Sequence, residues 1–357
     1  MEQMKKDLSI WTKRTFVLFL AVFLYPLLSA GIQGVSPSVE AENEIQLTWQ
    51  ERFHVKTGSM PKGVELTPDG RQAWVTNFGH DRGHSVTVFD SGNGEVIKQI
   101  SFQGRAVELA FSLDGWLAYI SNFDTGELMV VDTASFKVID TVKVGINPKI
   151  VTLSPSGNRI YVSNWSSNDI TVINSATLQV LDNIKVGRAP RGSDTDLSGR
   201  YLYVANFEGS TLSVVDMMAL GELKVLPMKR RPRHVKLTPD GKYVLVSDMG
   251  TGIDSLAVIE TASLEIKSWI KVGAGPKSIG VTPDSRLAFT AGYYSHAVTV
   301  VDLAAQKVTA TIPDLGESCS GIALSKDGRT LYVTSWFSND LWAFDLEYTS
   351  TLNPISK

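Results

Sequence analysis

Five bases in this chain each follow a proline: Lys62, Lys149, Arg191, Arg233 and Lys277. From Lys149 onward they stand 42, 42 and 44 residues apart. Arg105 lies just before the equivalent position of an intervening unit, and Ser320 replaces the base in the last one. A second series keeps nearly the same spacing: Phe78, Phe123, Trp165, Phe207, Met249, Tyr293 and Trp336, aromatic in six of seven cases. Guanidinium and ammonium groups bind carboxylates and phosphates, and aromatic faces stack on planar groups or hold cations. Together these residue types fit recognition of an anion, or of single-stranded nucleic acid through base stacking beside a basic groove. Residues that break the repetition could carry acid–base chemistry instead, and Glu108, Asp194 and His234 are the catalytic candidates. His80, Asp81 and His84 place two His and one Asp, residues that can ligate a metal, within five residues of one loop, and His296 lies on the corresponding loop of a later unit. The repeated Asn77, Asn122, Asn164 and Asn206 are expected to hydrogen-bond their own turns, because a residue found in most units serves the unit. No Gly-x-Ser-x-Gly, His-Glu-x-x-His or Gly-x4-Gly-Lys pattern occurs.

These residues must be positioned by repeating elements. A strand, a turn closing in Gly or Ser, and a second strand recur, with the turn closing at Gly70, Gly115, Gly157, Gly199, Gly241, Ser285 and Gly328. A period of about 42–45 residues accommodates four short strands and tight connections, the unit of a propeller blade. The expected fold is all-β: a seven-bladed β-propeller with four-stranded antiparallel blades. Repeats fall near 61–104, 105–145, 148–187, 190–229, 232–273, 276–316 and 319–345. The seventh lacks a fourth strand, and residues 45–57 are expected to supply it and close the ring, which removes exposed sheet edges.

The tetrapeptides WVTN (Trp74–Asn77), YISN (Tyr119–Asn122), YVSN (Tyr161–Asn164), YVAN (Tyr203–Asn206) and YVTS (Tyr332–Ser335) resemble the YVTN-type β-propeller repeat, across roughly residues 45–345. LVSD and FTAG in the fifth and sixth repeats depart from it. The resemblance implies that each innermost strand starts on the face that carries the loop between the second and third strands. Lys62, Arg105, Lys149, Arg191, Arg233 and Lys277 then form a basic ring inside the aromatic ring of Phe78, Phe123, Trp165, Phe207, Tyr293 and Trp336. A plainer account has proline presetting the strand start, solvated bases, and aromatics packed against the next blade. Glu65, Glu108 and Asp194, further along the same strands, are candidates to compensate the bases. Similar propellers include surface-layer and adhesion modules, periplasmic ligand-binding proteins, lactonase-like enzymes and electron-transfer partners.

Residues 1–41 read as a signal peptide or N-terminal anchor. Lys5, Lys6, Lys13 and Arg14 precede the apolar run Thr15–Leu28, with cleavage after Ala30 or Ala41; uncleaved, residues 16–35 would be the only membrane contact. The rest, 42–357, reads as a single propeller domain, exported to the periplasm or cell surface. It keeps 30 Lys/Arg against 34 Asp/Glu, a balance that argues against bulk polyanion binding. The lone cysteine, Cys319, has no intramolecular disulfide partner and reads as a small buried side chain. The leading expectation is a non-enzymatic binding protein for an anionic small molecule, glycan or protein partner, with no cofactor. The alternatives are a lactonase- or lyase-like enzyme in the central channel, where calcium would enter, and a cell-surface structural or adhesion module.

Overall fold

The computed structural model describes residues 45–79, 85–250, 252 and 254–348. The expectations for the N-terminal segment and for His80, Asp81 and His84 lie outside the described residues. All regular structure among them is strand. Seven four-stranded antiparallel sheets form, and in six of them the strands follow chain order. The innermost strands are Pro61–Leu66, Ala106–Phe111, Pro148–Leu153, Pro190–Thr195, Pro232–Leu237, Pro276–Val281 and Cys319–Leu324. Each lies against the inner strands of two neighbours, and the seventh returns to the first, so the blades make a ring. The seventh sheet takes its outer strand, Leu47–Lys56, from the N-terminal side. That strand pairs with Asp340–Tyr348, from Leu47 opposite Tyr348 to Lys56 opposite Asp340. The last strand thus runs three residues past Asp345, and the closing strand provides the partner that lets it do so.

Each blade is held together by the same short-range chemistry. At the inner hairpin, Thr67 Oγ1 donates to Asp69 Oδ1 at 2.6 Å, and the Arg71 N–H donates to the same carboxylate at 3.1 Å. The following residue turns left-handed, which glycine does without strain: Gly70 has φ 74°. The turn recurs at Thr238–Asp240, Thr282–Asp284 and Ser325–Asp327, each at 2.6 Å. Middle strands are buried on both faces, as in Arg159–Asn164, whereas outer strands such as Val96–Ile100 are largely exposed.

The core lies between blades rather than within them. Tyr161, Ile170, Val172 and Ile184 of the third blade pack with Leu202, Val204, Val215 and Met217 of the fourth. Val64, Val75 and Phe89 of the first pack with Tyr332, Leu341 and Ala343 of the seventh and with Phe53 of the closing strand. The leading aromatic of the repeat, Trp74, Tyr119, Tyr161, Tyr203 or Tyr332, is at most 2% exposed. Cys319 is fully buried within such a cluster, and burial pushes its thiol up to about 12.

Candidate functional site

Every inner strand carries a register irregularity two to three residues from its start, between Pro61 and Val64, Pro148 and Val151, Pro190 and Ser193, Pro232 and Val235, and Pro276 and Ile279, with the matching ones after Ala106 and Cys319. A bulge frees the residues it spans from the alternation of the pleat and re-aims a side chain. The five post-proline bases sit in these bulges.

Two further features fix them. The Thr or Ser in the third place of the repeat bridges two blades. Ser121 Oγ accepts the Glu108 N–H of its own blade at 3.2 Å and donates to the carbonyl of Lys149 in the next at 2.6 Å. Ser247 does the same between the His234 N–H, at 3.0 Å, and the Lys277 carbonyl, at 2.8 Å, and Thr76 between the Gly63 N–H and the Val107 carbonyl, both at 2.8 Å. The aromatic after the repeat is tied in turn by its own N–H to the residue preceding the inner strand. Phe78 donates to Met60 at 2.9 Å, Trp165 to Asn147 at 3.1 Å, Phe207 to Ala189 at 3.0 Å and Tyr293 to Gly275 at 2.9 Å. Base and aromatic therefore emerge on one face from one fixed junction.

The repeated asparagines serve this junction. Asn164 Nδ2 donates to Asp169 and Thr171 of its own blade at 2.9 and 2.8 Å, Asn206 Nδ2 to Thr211 and Ser213 at 3.0 and 2.7 Å, and Asn77 Nδ2 to Thr87 at 3.1 Å. Asp248 replaces the asparagine in the fifth blade. It accepts the Arg230 N–H at 2.8 Å, and burial pushes its carboxyl up to about 6. His296 Nδ1 accepts the Ser318 N–H at 2.8 Å, joining blades six and seven. Asn168 and Asn339 hold the same place and accept the N–H of Ala189 and Met60, both at 2.8 Å.

The resulting cluster interleaves charge and ring. Lys149 Nζ lies 4.0 Å from the Phe123 centroid, 5.1 Å from Trp165 and 5.7 Å from Phe78. Arg191 is 5.7 Å from both Trp165 and Phe207, and Arg233 is 5.4 Å from Phe207 and 5.9 Å from Tyr293. Lys277 lies 4.6 Å from Trp336 and 5.0 Å from Tyr293, and Arg105 lies 4.7 Å from both Phe78 and Phe123. The aromatics also touch: Phe78 is 5.5 Å from Phe123 and 5.4 Å from Trp336, and Trp165 is 5.0 Å from Phe207. The ring reading and the packing reading thus describe the same residues. Solvated bases do not, because Lys62, Lys149 and Lys277 are only 4%, 8% and 5% exposed beneath the rings.

Compensation is sparse. Glu108 reaches Lys62 Nζ at 3.2 Å, with Gly63 leaving the room for it. Arg105 is paired with Asp124 at 2.9 Å. Glu65 and Asp194 do not turn to the ring. Asp194 accepts the Leu237 N–H at 2.9 Å, and its charge raises Lys236. Burial dominates the remaining cations, followed by the repulsion of like charges at Lys149, Lys277 and Arg233. Lys149 is lowered to about 5 by burial, then by Lys62 and Arg191, and Lys62 is lowered to about 8 by burial against the pull of Glu108. Lys277 is lowered well below its ordinary range. Burial lowers Arg191 to about 10 and, with help from Arg191, lowers Arg233 to about 9, so both guanidinium groups stay charged at neutral pH. The Arg233 Nε–H is enclosed and has no acceptor among the described residues.

Below the ring, a cavity of about 620 Å³ opens toward the inner-hairpin face, and Glu65, Glu108, Asp194, His234 and Lys236 line it among aliphatic side chains. All three catalytic candidates are there. Glu65 is accessible from the lumen, yet the enclosing wall pushes its carboxyl up to about 7. His234 is held at about 3, by burial and then Lys236, and its Nδ1 lacks a partner among the described residues. No group of three or more His, Cys, Asp or Glu among the described residues is arranged to hold a metal ion.

The family model described as "Lactonase, 7-bladed beta-propeller" matches residues 130–357, and that of a "YNCE-like beta-propeller" matches residues 43–200. Protein NirF of Stutzerimonas stutzeri is 29% identical over 113 residues, which is 31% of this chain and 29% of NirF, so under a third of that relative's length is spanned. Among solved structures, the hydrazine synthase of Kuenenia stuttgartiensis aligns with a TM-score of 0.73 at 22% identity, over 85% of this chain and 99% of that one. At that identity the likeness is one of fold.

Proposed function

Because this chain belongs to the lactonase family of seven-bladed β-propellers, a scaffold on which the site rather than the fold decides the chemistry, we propose that it is a binding protein whose ring of bases and aromatics takes an anion. The observation that carries this reading is a cluster of cation-forming side chains with little compensation, two of whose lysines burial and neighbouring cations hold well below their ordinary range. Three lysines and two arginines converge on one end of the channel, and among the described residues one carboxylate, Glu108, reaches any of the three lysines. Like charges held in a weakly polar enclosure repel one another strongly. An oxyanion would relieve that repulsion and accept from the Arg233 Nε–H. The basic-then-apolar order of residues 5–28 supports an exported setting for this role.

A second reading rests on the family's name and on the lower cavity: an enzyme acting in the channel through Glu65, Asp194 and His234, with Lys236 beside them. Sulfate titration followed by thermal unfolding separates the two. Anion binding at the ring predicts stabilisation of about 2.7 kcal/mol at a hundredfold excess over the dissociation constant, lost in the Arg191→Ala, Arg233→Ala, Lys277→Ala triple variant. Equal stabilisation of both proteins would remove the ring from the account.

A further inference from the structure

The ring is not uniform, and its asymmetry carries information about the ligand. The position after each ring aromatic is Gly79, Asp124, Ser166, Glu208 and Gly250 in the first five blades, but Tyr294 and Phe337 in the sixth and seventh. These two large rings are 60% and 53% exposed. They are not loosely placed: the Tyr294 N–H donates to Ala274 and that of Phe337 to Glu317, both at 3.0 Å. Tyr293 joins them to the charged centre, with its ring 5.2 Å from Tyr294 and 6.2 Å from Phe337. Lys277 Nζ lies 5.0 Å and the Arg233 guanidinium carbon 5.9 Å from the same ring. One side of the site therefore runs continuously from a half-buried guanidinium, whose enclosed Nε–H has no acceptor among the described residues, to a water-facing aromatic surface.

We propose that the ligand is an amphiphilic organic anion: an oxyanion, such as a carboxylate, seated on Arg233, joined directly to a flat apolar body that lies against Tyr293, Tyr294 and Phe337. This rests on the anion-binding reading and narrows it. An inorganic anion would use only the cations and leave both exposed rings in water. A guanidinium donates two parallel N–H bonds to a carboxylate, which fixes the plane of an attached aryl group. Offset or edge-on contact with tyrosine and phenylalanine then favours that group over a small aliphatic one.

The test is calorimetric titration of the full-length protein with sulfate, acetate, glucuronate and 2-naphthoate, in the wild type and in the Tyr294→Ala, Phe337→Ala double variant. Both substitutions are at exposed positions, and the unfolding temperature checks that the fold is kept. Binding of 2-naphthoate is expected to be roughly tenfold or more tighter than that of acetate. The double variant should lose most of this preference and keep its sulfate affinity. Naphthoate no tighter than acetate, glucuronate tighter than naphthoate, or sulfate and naphthoate weakened alike by the double variant would each overturn the proposal. Sulfate binding without an aryl preference removes this inference and leaves the anion site standing; binding of neither anion removes both.

Discussion

Lys149 shows most clearly what the site trades away. Its ammonium is almost wholly enclosed, surrounded by Phe78, Phe123 and Trp165, and lowered to about 5 by burial and by its cationic neighbours. Replacing buried ionisable groups by well-packed apolar side chains of similar volume is often neutral or stabilising, by about 1–4 kcal/mol for buried ion pairs, and the lowered Lys149 amine is buried at the same kind of cost. Lys149→Met is therefore expected to raise the stability of the ligand-free protein by about 1–3 kcal/mol while weakening sulfate binding, both read from denaturant unfolding with and without sulfate. A destabilised variant that still binds would mean that the lysine is structural. The positions of the bases and aromatics were legible in the sequence, because proline and the repeat mark the start of each inner strand. Their burial was not, since exposure depends on how seven separate loops close over one channel mouth. Nor was the partition of the acids: Glu65 and Asp194 lie on the same strands as Lys62 and Arg191, but beyond the bulge they face the lower channel.

At the scale of the strand, the bulge and the hydroxyl that spans two blades hold the site. The serine or threonine of the repeat stands at regular spacing in the sequence, beside the asparagine, but its reach across the blade boundary is not written there. A period-two pattern does not show which side chain reaches across to a neighbouring backbone. Ser121 bridges the Glu108 N–H and the Lys149 carbonyl, so Ser121→Ala leaves both groups of a buried junction short of a partner. We expect a loss of roughly 1–3 kcal/mol in unfolding free energy, together with weaker sulfate binding because Lys149 is no longer fixed. Ser121→Thr keeps the hydroxyl and should retain most of both. If alanine and threonine behave alike, the bridge does not position the base.

At the scale of the whole molecule, closure decides stability. Each apolar cluster draws on two blades, so none is complete alone, and the strand Leu47–Lys56 completes the seventh. Its place was predictable from a missing fourth strand and a leftover apolar segment of strand length. Removing residues 45–57 is expected to abolish the cooperative unfolding transition of the entire domain rather than to trim one blade, as judged by near-ultraviolet circular dichroism. A sharp transition surviving the deletion would mean that the ring is stable when open. The closed ring also explains how a chain of net charge −3 gathers six bases at one mouth: the acids sit elsewhere on the blades, and the channel end keeps its excess. Since burial holds Lys149 near 5 and Lys62 near 8, part of that excess is unprotonated at neutral pH. An arriving anion favours the charged forms and raises both values, so binding takes up protons and weakens as pH rises above about 5, where free Lys149 loses its proton, and further above about 8, where free Lys62 does. The most direct measurement is sulfate calorimetry at pH 7.5 in buffers of different ionisation enthalpy. Uptake of about one proton per anion bound is expected; binding without proton uptake, or binding that tightens as pH rises, would contradict an anion seated among these lysines.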